Sequence, residues 1–135
     1  MRVMSRILGP RLAATAHCDL PCGVYDPAQA RIEAESVKAI QQKYQDSDDP
    51  EFRARAIVIK EQRSELVKHH LWVLWTDYFK TPHFEKYPQL HSLFNQATKA
   101  AGASGTKGSM DPAKGQELLD LIAEIDKIFW ETKQG

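Results

Sequence analysis

The chain of 135 residues contains no apolar run near the ~20 residues that a membrane-crossing helix needs. It therefore reads as soluble, with no membrane partner. It also lacks an excess of either charge: 18 Lys and Arg stand against 18 Asp and Glu. This removes the basic footprint that a nucleic-acid partner requires. Two cysteines are too few for a disulfide framework, and if both bind metal there is no disulfide at all. That usage suits a reducing compartment, so a cytoplasmic location is expected. No stretch alternates polar and apolar residues long enough to argue a strand. Gly105-Thr106-Lys107-Gly108 lacks the spacing and the preceding strand of a phosphate loop.

What is present fits one helical domain, since domains commonly run to roughly 100–150 residues. Three Asp-Pro pairs, Asp26-Pro27, Asp49-Pro50 and Asp111-Pro112, read as helix starts, with Asp able to cap and Pro suited to the first helical position. The first helix is expected to reach about Gln45, with Ile32, Ser36, Ile40 and Tyr44 recurring at fours. In the second, Phe52, Ala56, Ile59, Arg63, Leu66, His70, Val73 and Asp77 follow the four-three spacing of a bundle face. Lys80-Thr81-Pro82 ends it. A third helix opens at Tyr87-Pro88 and runs to about Ala101 with Leu90, Leu93, Phe94 and Ala97 inward. Gly102 to Gly108 is expected to be a flexible connection. The last helix carries Leu118, Leu119, Ile122, Ile125, Ile128 and Phe129 as a wide apolar stripe. The expected fold is all-α, an antiparallel four-helix bundle with an N-terminal metal-binding hook.

The hook is His17-Cys18-Asp19-Leu20-Pro21-Cys22-Gly23-Val24-Tyr25, which gathers both cysteines and one of the five histidines. Thiolates bind borderline and soft metals, and imidazole suits nickel, copper and zinc. Were His17 the first residue, its α-amine, the Cys18 backbone nitrogen and the Cys18 thiolate would form two fused chelate rings, with Cys22 closing a square plane. Ni(II) and Cu(II) favour such a plane. The His17 imidazole would then be an axial donor. Pro21 and Gly23 suit the turn that brings Cys22 back. On spacing alone, a small disulfide, a redox pair and two unrelated thiols remain open.

The hook resembles that of the nickel superoxide dismutases, and the likeness runs through the whole chain after Ala16. It includes Glu61-Gln62-Arg63, Asp77-Tyr78-Phe79-Lys80, the segment from Pro82 to Pro88, and the segment from Ile125 to Glu131. The resemblance implies a nickel ion held by His17, Cys18 and Cys22, and dismutation of superoxide to dioxygen and hydrogen peroxide by Ni(II)/Ni(III) cycling. It implies that Glu33 and Arg63 support the His17 imidazole, that Tyr25 and Tyr78 stand beside the open face of the metal, and that the protein is a homohexamer. The alternative is a nickel-binding or storage protein with the same hook and no turnover. A further one is a helical interaction domain in which Cys18 and Cys22 are a disulfide.

Residues 1–16 carry Arg2, Arg6 and Arg11 without an acid and end in small residues, but Val3-Met4 and Ile7-Leu8 are too broken for a secretory signal. They read as a leader that a processing peptidase removes, leaving 17–135 as the hook and bundle domain. His69 and His70 are adjacent and poorly placed to share a metal, and His83 and His91 lack a zincin pattern. All four read as structural or surface residues. Trp72, Trp75 and Trp130 read as core or interface aromatics.

Overall fold

The computed structural model describes residues 22–134. Within them the chain forms α1 (Ala28–Gln45), α2 (Pro50–Val73), a π-helical turn over Leu74–Tyr78, α3 (Thr81–Lys86), α4 (Leu90–Ala100) and α5 (Pro112–Gln134). There is no strand among the described residues. The four long helices make the bundle: α1 packs on α2 and α5, and α4 packs on α5 and α2.

The three Asp-Pro starts share one device. Asp26, Asp49 and Asp111 each turn Oδ1 onto the backbone N–H two residues on, at 2.8, 3.1 and 2.9 Å. Each satisfies one of the amide groups that a helix N-terminus leaves without a partner.

The inward faces of α1 and α2 differ from the expected ones. In α1 the buried residues are Ala30, Ala34, Val37 and Gln41, and Ile32 is exposed. Small side chains win there because α5 comes close: a Cβ on Gly115 would lie 2.5 Å from Gln41 Oε1 and 2.9 Å from Lys38 Cα. In α2 the buried residues are Ala56, Lys60, Ser64, Val67, Leu71 and Val73: Ala56 and Val73 are as expected, and between them the stripe runs one residue beyond the expected Ile59-Arg63-Leu66-His70 line. The inward residues of α4 and α5 are as expected. Leu90, Phe94 and Ala97 meet Leu118, Ile122, Ile125 and Phe129 in the core.

Two further features depart from expectation. The short helix α3 occupies what reads in the sequence as a plain break between helices. Its first turn is held by the backbone N–H of Lys80 donating to His83 Nδ1 at 3.0 Å. The connection after α4 is also no loose link. Gly102, Gly105 and Thr106 are buried, the Thr106 N–H donates to Ala100 O at 2.8 Å, and the Thr106 and Ser64 hydroxyls meet at 2.7 Å. Gly105 is required there, because a Cβ would fall 1.9 Å from Ala100 O.

Candidate metal centre

The first described residue is Cys22, whose side chain is exposed at the entry to the bundle. His17 and Cys18, the leader and the Leu20-Pro21 bond lie outside the described residues. After Cys22 the backbone turns through Gly23 at φ +73°, a region that glycine enters without strain. The turn brings the Val24 N–H onto Cys22 Sγ at 3.3 Å. The same Sγ lies 3.9 Å from Val24 O.

Tyr25 follows and lies half-buried against the core, its ring centroid 5.6 Å from that of Tyr78. The sequence places these two residues 53 positions apart, and the fold brings them together. Tyr78 is set by the π-helical turn, in which the Phe79 N–H reaches Leu74 O at 2.9 Å. Such single π turns frequently mark functional positions. The Tyr78 ring also packs on Phe129 at 4.4 Å and stacks on His83 at 5.7 Å with the planes 7° apart. Its hydroxyl lies 2.7 Å from Thr132 Oγ1.

Glu33 on α1 and Arg63 on α2 form an ion pair at 3.0 Å, with side chains 18% and 38% exposed. The remaining histidines fall in structural settings. His91 Nδ1 accepts the Trp75 indole N–H at 3.2 Å and its ring stacks on Phe84. His69 and His70 meet edge to face on the side of α2.

Among the described residues no three His, Cys, Asp or Glu side chains converge to hold a metal. A soft sulfur donor and a turn that presents it fit a borderline transition metal. A model of the family described as nickel-containing superoxide dismutase matches residues 12–133. The chain belongs to that family.

Among nickel superoxide dismutases, those of Streptomyces coelicolor and Streptomyces seoulensis are each 67% identical to it over 133 residues, covering 98% of this chain and all of the relative. A solved structure of native nickel superoxide dismutase superposes with a TM-score of 0.85 at 70% identity, covering 88% of this chain and all of the other. An apo structure gives a TM-score of 0.80 at 69% identity over 83% of this chain and 99% of that one. The family's all-helical fold is thus shared. Of the residues expected at the site, the fold brings Tyr25 next to Tyr78 and Glu33 onto Arg63. Thr132 went unseen, because a threonine near the end of a helix carries no motif.

Proposed function

We propose that the chain, cut before His17, is the working form of a nickel-dependent superoxide dismutase, turning two superoxide anions and two protons into dioxygen and hydrogen peroxide. In this reading His17, Cys18 and Cys22 hold the nickel, which supplies one-electron redox chemistry that zinc lacks. The observation that carries it is the meeting of Tyr25 and Tyr78, 5.6 Å apart, beside the turn that presents Cys22. Two phenols of separate segments there narrow the approach and order the water or substrate that enters.

Cys22 contributes a sulfur ligand, onto which the Val24 N–H is turned. Glu33 and Arg63 serve the His17 imidazole, fixing its orientation and donor strength as partners of metal-bound histidines do. An ion pair this open is worth only about 0.2–1 kcal/mol to the fold. That small figure leaves orientation as its main use. Removal of residues 1–16 turns the His17 nitrogen from an amide into an amine. Cysteine usage that suits a reducing compartment supports a cytoplasmic location. The family likeness supports a homohexamer.

The test is to prepare the chain beginning at His17, load nickel, and measure superoxide consumption beside the uncut chain. The cut form is expected to be active and the uncut form inactive, with Cys18→Ser and Cys22→Ser abolishing turnover and His17→Ala keeping some nickel but losing most of the rate. Equal activity in cut and uncut forms would end the amine-ligand assignment. Nickel uptake without superoxide consumption would favour the storage alternative.

A further inference from the structure

The hydroxyl of Tyr78 is part of a short chain whose direction the structure fixes. Thr132 Oγ1 lies 2.6 Å from Phe129 O and 2.7 Å from the Tyr78 hydroxyl. A carbonyl oxygen only accepts, so the single Thr132 proton is committed to Phe129 O. At 2.6 Å two oxygens without a proton between them would repel, which rules out Thr132 donating to Tyr78 instead. Tyr78 is therefore the donor and Thr132 the acceptor.

We propose that Thr132 is a positioning residue for the dismutation site: by taking the Tyr78 proton it holds this phenol with its lone pairs available to the approach, as a hydrogen-bond acceptor. The inference rests on the superoxide dismutase reading above. Thr132 returns to its own helix three residues back, a habit of threonine in helices that holds the hydroxyl in one rotamer. The last turn of α5 is thereby tied to the π-helical turn after α2.

Two consequences follow for proton supply. The chain from Tyr78 ends on the Phe129 carbonyl, which has no proton to hand on, so Tyr78 cannot be reprotonated through Thr132. The two protons consumed for each peroxide formed then reach the product from another group or from water. Tyr78 contributes by accepting a hydrogen bond from an entering water, since superoxide has no O–H to donate, and keeps its ring against Tyr25. Lys133, with its ammonium 5.1 Å from the Tyr78 ring centroid, adds a cation on the same side.

The test uses the nickel-loaded chain beginning at His17, with Thr132→Val to remove the acceptor while keeping the shape, and Thr132→Ser to restore it. The first readout is the tyrosine Raman doublet, whose intensity ratio distinguishes a phenol that donates from one that accepts. It is taken as the difference between each protein and its Tyr78→Phe counterpart, so that the other tyrosines cancel. The parent protein is expected to give the intermediate ratio of a phenol that both donates to Thr132 and accepts from water, shifted to the acceptor ratio in Thr132→Val and recovered in Thr132→Ser. This readout does not depend on turnover and stands or falls apart from the activity assignment.

The second readout is a double-mutant cycle in kcat/KM. Thr132→Val is expected to lower kcat/KM by about three- to tenfold, the effect of one lost positioning hydrogen bond, and Thr132→Ser to return it to within about twofold. In the Tyr78→Phe background Thr132→Val should change nothing further, because coupled residues do not add. An acceptor-type Raman signature for Tyr78 in the parent protein would overturn the proposal. So would an equal loss from Thr132→Val with and without the Tyr78 hydroxyl, since a loss that ignores Tyr78 belongs to the helix rather than to the site.

Discussion

Lys60 is 1% exposed, and its ammonium donates to Lys107 O at 2.7 Å and Ser109 O at 3.3 Å with no carboxylate among these partners. Burial pushes its pKa below the ordinary lysine value, with Glu61 pulling weakly the other way. The residue pins the connection between α4 and α5 to the middle of α2. Lys60→Met keeps most of the volume but takes the donor from Lys107 O, while Ser109 O keeps the Gln41 amide N–H at 3.0 Å, and an unsatisfied buried polar group costs roughly 1–3 kcal/mol. Denaturant unfolding of the variant is expected to show a loss of about 2 kcal/mol. The sign of the pH effect is also set. Between the lowered folded pKa and the ordinary lysine value the unfolded chain holds the proton more tightly, so stability rises as pH rises through that window. Lys60→Met should flatten this rise, and an unchanged slope would show that another group sets it. The exposed Glu65 is held below its ordinary pKa by its hydrogen bond to Lys107, and acts at the opposite end of the scale. Its contribution is present above the ordinary carboxylate range and fades as pH falls through the lowered folded pKa.

Elements were legible in the sequence where a local rule acts alone. The Asp-Pro pairs gave all three starts because an Asp carboxylate and the amide two residues on need nothing from the rest of the fold. The inward faces of α1 and α2 were harder, since a neighbour decides them. In α1 the large Ile32 points outward, and the close approach of α5 selects Ala30, Ala34 and Gln41 inward. In α2 apolar residues occur all round, with Phe52, Ile57, Val58 and Trp72 exposed, so periodicity favours no one face and the polar Lys60 and Ser64 enter the core through a loop far along the chain. The hook was readable as a motif, whereas the contact of Tyr25 with Tyr78 and the support from Thr132 depend on a π-helical turn that no spacing announces. The contact between α1 and α5 gives the test at this scale. Gly115→Ala would set a Cβ 2.5 Å from Gln41 Oε1 and 2.8 Å from Lys38 Cβ, and the backbone at Lys38 Cα, 2.9 Å away, cannot yield as a flexible side chain does. Overpacking of this kind costs about 1–3 kcal/mol. Thermal unfolding of Gly115→Ala should show a lowered midpoint, and a midpoint equal to that of the parent would mean that the helices separate more readily than the packing implies.

For the whole molecule, charge gives little help in collecting an anionic substrate. Without the three arginines of the proposed leader, 15 Lys and Arg remain against 18 Asp and Glu, so any attraction must be local, as at Lys133 beside Tyr78. Apolar surface is the more telling global feature. In a single chain α2 leaves Val58 56% and Trp72 42% exposed, and on α5 Trp130 is 44% exposed, large apolar side chains that the bundle itself does not cover. Ala54, Arg55, Val58 and Ile59 also line a shallow groove on α2, largely apolar. Burying one large aliphatic or aromatic side chain is worth about 1.5–3 kcal/mol, so a few such residues, repeated by symmetry, can hold copies of this chain together. The expected assembly is the homohexamer. Light scattering on the processed protein should give the mass of six chains. Val58→Glu, which sets a charge in the middle of the apolar strip, should shift that mass toward smaller species while leaving the helical circular dichroism of the single bundle in place. A processed wild-type protein that scatters as one chain at micromolar concentration would mean that this apolar surface faces water, and the hexamer expectation would then fall without touching the metal centre.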